Sequence, residues 1–185
     1  SKPSASSASR PAARPQTGDL LDTEQGAMTA TGLDVFDRTL QTTHIWLDEI
    51  MTELGPERRF AWHALGAVLR PLRDRLSPDL AAHLSAQLPL LVRGLYYDQW
   101  QPAGKPERLR SLDEFLERVG EELQGTGRTD ASEITRAVLR TLSRHIDPGQ
   151  IAKVADALPK EIRVFWLGAL DVGACGPAAL AALEG

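Results

Sequence analysis

Apolar residues recur along the chain at intervals of three and four from Leu33 onward. Val35, Phe36, Leu40, Thr43, Leu47, Ile50 and Leu54 fall on one broad stripe, the pattern of a helix with one buried face. Gly55-Pro56 stops that helix and opens a second to about Leu76, with Phe60, Ala64, Ala67, Val68, Leu72 and Leu76 inward. Pro71 inside it removes a ladder bond and predicts a kink or a split. Ser77-Pro78 is an N-cap followed by a first-turn proline and opens a short helix to about Gln87. Leu88-Pro89 opens the next, to about Trp100. Ser111-Leu112-Asp113-Glu114 and Asp130-Ala131-Ser132-Glu133 have capping-box spacing and predict two more helix starts. Asp147-Pro148 and Leu158-Pro159 open the last two, the final one reaching about Leu167.

The pattern repeats. Residues 61–96 align without a gap on 131–166 at an offset of 70. Ala61, Ala67, Val68, Leu69, Arg70, Leu72, Pro78, Ala82, Leu88, Pro89 and Arg93 are identical to their counterparts. Upstream, Trp46-Leu47-Asp48, Ile50 and Glu53-Leu54 match Phe115-Leu116-Glu117, Val119 and Glu122-Leu123 at offset 69. Each half thus reads as four helices: long, long, short, short. The pairs Ala64/Ile134, Val68/Val138, Leu72/Leu142, Leu76/Ile146, Leu84/Val154, Leu88/Leu158, Val92/Ile162 and Leu95/Phe165 are apolar in both halves and are the expected core. A unit this small is marginal alone, so the two are expected to share an interface. The fold class is all-α, a tandem repeat of two four-helix units packed into one compact helical domain. Its expected divisions are a flexible leader or tail over 1–30, a first unit over 31–100, a linker loop over 101–110, a second unit over 111–168 and a C-terminal tail over 169–185 with one short helix from Pro177. Met28 is a candidate native start.

Composition supports helix. Among 185 residues there are 27 Leu and 24 Ala against 14 Val plus Ile. Charge is nearly balanced, 21 Lys+Arg against 25 Asp+Glu for a net −4. That disfavours a general grip on nucleic acid, which needs a basic surplus. A single cysteine makes no intrachain disulfide. No window has the run of about 20 apolar residues that crosses a membrane, and no secretory signal is visible. Asn is missing, which excludes N-linked glycosylation, and Arg outnumbers Lys 17 to 4, the coding bias of a GC-rich bacterial genome.

Many short motifs occur in a familiar order. Thr31-Gly32-Leu33, Thr43-His44-Ile45-Trp46-Leu47, the Arg58–Leu76 helix, Ala86-Gln87-Leu88-Pro89, Leu91-Val92-Arg93-Gly94-Leu95-Tyr96-Tyr97, Trp100 and Pro102-Ala103-Gly104-Lys105-Pro106 resemble the bacterial family named domain of unknown function 2267. The resemblance covers about 31–168 and includes Leu158-Pro159-Lys160-Glu161-Ile162-Arg163. It implies an all-helical cytoplasmic bacterial protein, with members' contexts suggesting a stress or accessory system. It implies no activity. The leader and the Gly173–Gly185 tail depart from the family's usual extent.

Candidate chemistry is sparse. His44, His63, His83 and His145 each align with a charged residue in the other half, so we read them as solvent-facing. Neither the di-iron nor the helical zinc-protease pattern is present. His44/Asp48 and Asp79/His83 are helical neighbours able to pair. Cys175, in Gly173-Ala174-Cys175-Gly176, has no histidine near it in sequence to act as base. Tyr96 aligns with Trp166 and reads as a core aromatic. Tyr97 and Trp100 align with leucines, and they read either as packing between the halves or, with Arg93, as an interaction patch, because Tyr, Trp and Arg are enriched at binding hot spots. Recurrence of Arg93 as Arg163 and of Arg70 as Arg140 favours a structural role, such as a carbonyl contact at a helix end. Arg70, Arg73 and Arg75, and Arg136, Arg140 and Arg144, form basic strips that read as solvated, acid-paired faces or as an anion site with Arg59 and His63.

The sequence therefore predicts a non-catalytic, cytoplasmic helical interaction or accessory protein, with no catalytic, metal or cofactor-binding residues. Arg93, Tyr97 and Trp100 are its candidate patch, and a protein partner or self-association is expected rather than nucleic acid or membrane. The alternative is a small-molecule or nucleic-acid-binding regulator using a groove between the halves or the arginine strips.

Overall fold

Several helices start where a side chain satisfies a first-turn amide. The computed structural model describes residues 32–127 and 130–170. In it, Ser77 accepts from the Leu80 amide, Ser111 from Glu114, Asp130 from Glu133 and Asp147 from Gln150. The Ser111 box differs from the expected one. Glu114 reaches back to the amide of Arg110, one residue before the cap, at 2.8 Å. At the other end of the first helix, Gly55 takes φ +106°, a region side chains avoid, and its amide closes on Met51 O at 2.9 Å.

Among the described residues every regular element is a helix: α1 (Asp34–Leu54), α2 (Arg58–Arg75), α3 (Pro78–Ser85), α4 (Leu90–Tyr97), α5 (Leu112–Glu122), α6 (Ala131–His145), α7 (Pro148–Asp156) and α8 (Lys160–Ala169). The helices from Pro56, to Gln87 and to Trp100 are shorter than the sequence suggested, because loops take over at Gly55–Glu57, Ala86 and Asp98. α2 runs unbroken through Pro71, so the helix is not split there. It is buried almost continuously from Ala64 to Arg73, and packing on several sides holds a turn that has lost its amide. The leader over 1–30, the expected tail helix and Cys175 lie outside the described residues.

α2 and α6 form the centre. α1 packs on α2 and α6, and α5 packs on α6 and α2. α4 packs on α2 and α1, and α8 on α6 and α5, while α3 meets α7. α2 and α6 end, and α3 and α7, α4 and α8 begin, at positions 70 apart. One continuous apolar core runs from Trp46 to Leu170 through both halves. Of the expected core pairs all are buried except Leu95, which is half-exposed; Leu88 and Leu158 keep 2% and 4% of their surface.

The first stripe is corrected. Thr43, Leu47, Ile50 and Leu54 are buried, but Val35, Phe36 and Leu40 are 59%, 49% and 37% exposed. α1 has 21 residues and α5 has 11. At offset 69 α5 begins opposite Thr43, so residues 34–42 run past the paired part of the fold by about 13 Å.

Candidate functional site

Arg93 is held by carbonyls. On α4, its Nε donates to Ser85 O at 2.9 Å and its Nη2 to Ala86 O and Leu88 O at 3.2 Å, closing the end of α3. Ser85 O also accepts from the Leu88 amide at 3.1 Å, and the carbonyls past the end of the helix lie close together, so a fixed fork of N–H groups suits them. Arg163 repeats the contact on α7, donating to Ala155 O at 3.2 Å and Asp156 O at 3.1 Å. Beside Arg93, the Tyr97 hydroxyl donates to Ser85 Oγ at 2.7 Å. The Tyr97 ring meets Tyr96 edge-on and Trp100 at a tilt, with ring centres 5.2 and 5.1 Å apart. Arg93, Tyr97 and Trp100 therefore do come together, all half-buried. Arg93 and Tyr97 spend their polar atoms on the α3–α4 corner. The Trp100 indole nitrogen is buried without a hydrogen-bond partner among the described residues.

Tyr96 is fully buried, its hydroxyl donating to Ala81 O at 3.1 Å. Burial pushes its phenol far above the ordinary value, and the neighbouring Tyr97 adds to this. Its counterpart Trp166 is also fully buried and donates to Ser143 Oγ at 2.9 Å.

The arginine strips are largely paired. Arg70 donates to Glu122 at 2.7 Å and lies 3.6 Å from Asp98. Arg140 grips Glu53 through two nitrogens and also donates to Ala169 O at 3.2 Å. Arg144 lies 3.3 Å from Glu49, Arg75 donates to Leu109 O at 3.2 Å, and Arg136 covers the Phe165 ring at 4.3 Å. Arg73 was not distinguished by sequence from its neighbours, yet it is 4% exposed. It pairs with Asp74 at 2.7 Å and donates to Tyr96 O and to Asp98 O, ending α4. Its counterpart in the repeat is Ser143, which instead receives the Trp166 indole.

The linker is stitched to α2 and α5. Lys105 lies 3.3 Å from Asp74, the Glu107 amide donates to Asp74 O at 2.7 Å, and Arg118 reaches Glu107 at 3.0 Å. Desolvation lowers the Arg118 pKa, but Glu107 and Glu121 outweigh it and hold the guanidinium above its ordinary value. The Lys105–Pro106 bond is cis. This charged network walls a cleft of about 280 Å³ between α2 and α5. A second cleft, of about 370 Å³, opens between α2 and α4 beside Trp62, His63, Gly66 and Leu95. Among the described residues no cluster of three His, Cys, Asp or Glu side chains is arranged to hold a metal ion.

All four histidines lie at exposed positions. Asp48 meets Arg58 at 2.9 Å rather than His44. His145 has a contact the sequence did not signal: its ring stacks on Trp46, centres 5.1 Å apart, and Nε2 lies 2.8 Å from Glu49.

The α1 stripe changes character along its length. Leu33, Phe36, Leu40, Thr43, Leu47, Ile50 and Leu54 continue one seam at alternating spacings of three and four, the coiled-coil a/d pattern. Its second half is core. Its first half is open, with Leu33 51% exposed beside Phe36 and Leu40. No described helix is long and apolar enough to cross a membrane.

No curated protein matches the sequence. A family model, uncharacterized conserved protein (DUF2267), matches residues 43–165, well over half the chain and everything from the buried half of α1 to α8. That span begins where the α1 seam enters the core and holds the carbonyl-capping arginines and both Leu-Pro corners, and the chain belongs to this DUF2267 family.

Proposed function

We propose that this chain is a duplicated, non-catalytic helical scaffold, working in the bacterial cytoplasm, that acts by binding a protein. In this reading each half is one four-helix unit and the two exchange places about an axis near the α2–α6 contact. The packing pairs that recur when α1–α4 and α5–α8 are exchanged support it. So do the Arg70–Glu122 and Arg140–Glu53 pairs, each joining opposite halves.

The observation that carries the interaction reading is the open half of the α1 seam. Most of the arginines and buried polar groups are spent on the fold, whereas Phe36 and Leu40, neighbours four residues apart on one side of α1, are 49% and 37% exposed. Contiguous apolar exposure of this kind marks interaction sites. The surface we infer is therefore α1 before Thr43, with the Arg93, Tyr97 and Trp100 cluster serving the α3–α4 corner. The test compares wild type with Phe36→Glu/Leu40→Glu. The doubly charged variant keeps its melting temperature within a few degrees and loses its bound protein. A variant that retains its protein while folded overturns the reading.

The α2–α4 cleft supports a second reading, a small-molecule regulator. It has an apolar wall in Trp62 and Leu95, polar groups in His63 and Arg70, and a volume at the low end for ligand sites. A native-state ligand raises the melting temperature. A nucleotide and metabolite screen that raises it in wild type and not in Trp62→Ala favours this reading. The pairing of most strip arginines with carboxylates and carbonyls favours a protein over nucleic acid as partner.

A further inference from the structure

The α2–α4 cleft has a counterpart between α6 and α8. Gly66, Gly94, Leu95 and Asp98 line the first, and Arg136, Val164, Phe165 and Gly168, the matching residues at offset 70, line the second. The second cleft carries its own cation, Arg136. We propose that the first takes its cation from outside, as the guanidinium of an arginine-sized ligand, an inference that rests on the reading of this cleft as a ligand site and names the ligand's chemistry.

The second half shows where a guanidinium sits in this corner. The Arg136 guanidinium lies over the Phe165 ring, 4.3 Å from its centre. Its Nη1 lies beside Gly168, 3.8 Å from where a β-carbon there would stand. A side chain at that position would border the cation. The first half changes these positions together. Gly66 stands in place of Arg136 and brings no side chain. Asp98 stands in place of Gly168 and sets a carboxylate at the border of the vacated place. Leu95 replaces the Phe165 ring, and Trp62, matched by Ser132, supplies the aromatic wall from α2 instead. Indole is the strongest of the aromatic faces for a cation.

Charge and size agree with this. The Asp98 carboxylate lies 3.6 Å from Arg70 and its side chain is 54% exposed, whereas Arg70 donates to Glu122 at 2.7 Å. Two carboxylates against one guanidinium leave a negative charge at the edge of the cleft. A planar guanidinium meets a carboxylate with two parallel N–H groups, which an ammonium cannot do. The cleft, of about 370 Å³, is at the low end for ligand sites and suits a compound the size of one amino acid. At Gly94 a β-carbon would meet nothing within 4 Å, so this wall is open.

Titration of the full chain with L-arginine, followed by its amide and indole NMR signals, tests the proposal. The expected dissociation constant is below about 1 mM, with shifts at the Trp62 indole and the Gly66 and Leu95 amides. L-Citrulline, which has the same shape without the charge, binds at least about tenfold more weakly, and Asp98→Asn weakens L-arginine by about tenfold. Gly66→Arg/Leu95→Phe copies the second half and removes binding. If that variant does not fold, Asp98→Asn, a change at an exposed position, carries the test alone. An N-acetylated, C-amidated Gly-Arg-Gly peptide separates the two sources of a guanidinium. Affinity equal to or above that of L-arginine assigns the cleft to an arginine side chain of a protein, and weaker binding assigns it to a free small molecule. No saturable shift with either probe up to about 20 mM overturns the proposal. So does equal binding of L-citrulline, or binding insensitive to Asp98→Asn. If both probes fail and another compound raises the melting temperature of wild type but not of Trp62→Ala, guanidinium recognition alone falls and the ligand-site reading stands.

Discussion

The Arg70 guanidinium donates to the Glu122 carboxylate at 2.7 Å, reaching from the second helix to the fifth across 52 residues. Seventy residues on, Arg140 reaches back from α6 to Glu53 on α1. Each arginine thus ties its half to the other. Arg140 is the better-held of the two, with a two-nitrogen grip and side chains 29% and 20% exposed, against 27% and 36% for Arg70 and Glu122. Double-mutant cycles on the two pairs should give a coupling of about 1 kcal/mol for Arg140/Glu53 and about half that for Arg70/Glu122. High salt should weaken the second more than the first.

The Leu-Pro corners are the second prediction. Leu88 and Leu158 fill the core where α3 turns into α4 and α7 into α8. Replacing either by alanine should cost about 2–5 kcal/mol in urea denaturation. The two losses should be similar. A corner serving only one half would show as one costly and one neutral substitution.

Arg93 and Arg163 should matter through their fork rather than their charge. Arg93→Lys keeps the cation but cannot satisfy several carbonyls at once. It should cost about 1 kcal/mol and speed hydrogen exchange at the end of α3, with Arg163→Lys doing the same at the end of α7.

Tyr96 predicts an alkaline limit. Its folded pKa is raised above the ordinary 10.0 by burial. The unfolded chain therefore loses this proton first. The stabilisation is complete below pH 10 and falls as pH rises above it, by up to about 1.4 kcal/mol per pH unit for this group. Tyr96→Phe should remove that part of the pH dependence, while losing about 1 kcal/mol at neutral pH with the bond to Ala81 O. Denaturation curves collected between pH 8 and 11 separate the two effects.

Much of the helix order was legible because the signals are local. Ser77, Ser111, Asp130 and Asp147 cap as their spacing predicts, and the recurrence of Arg93 in the second half foretold a carbonyl contact at a helix end. Periodicity misread Phe36 and Leu40, since a stripe shows which face is apolar but not how far a neighbour extends along it. The clue lay in the repeat, whose match starts only at Trp46 and Phe115 and leaves the earlier stripe without a counterpart. The Trp46–His145 stack and the burial of Arg73 were not legible, because each depends on residues that differ between the halves and are joined only by packing.

One stripe on α1 changes character at Thr43, buried in the core on one side and exposed on the other. Chemical denaturation of Phe36→Ala and Ile50→Ala tests this most directly. Ile50 is fully buried and Phe36 is 49% exposed. Ile50→Ala should cost about 2–5 kcal/mol and Phe36→Ala less than about 1. Equal losses would mean that Phe36 is packed within its own chain, leaving no open seam for any partner.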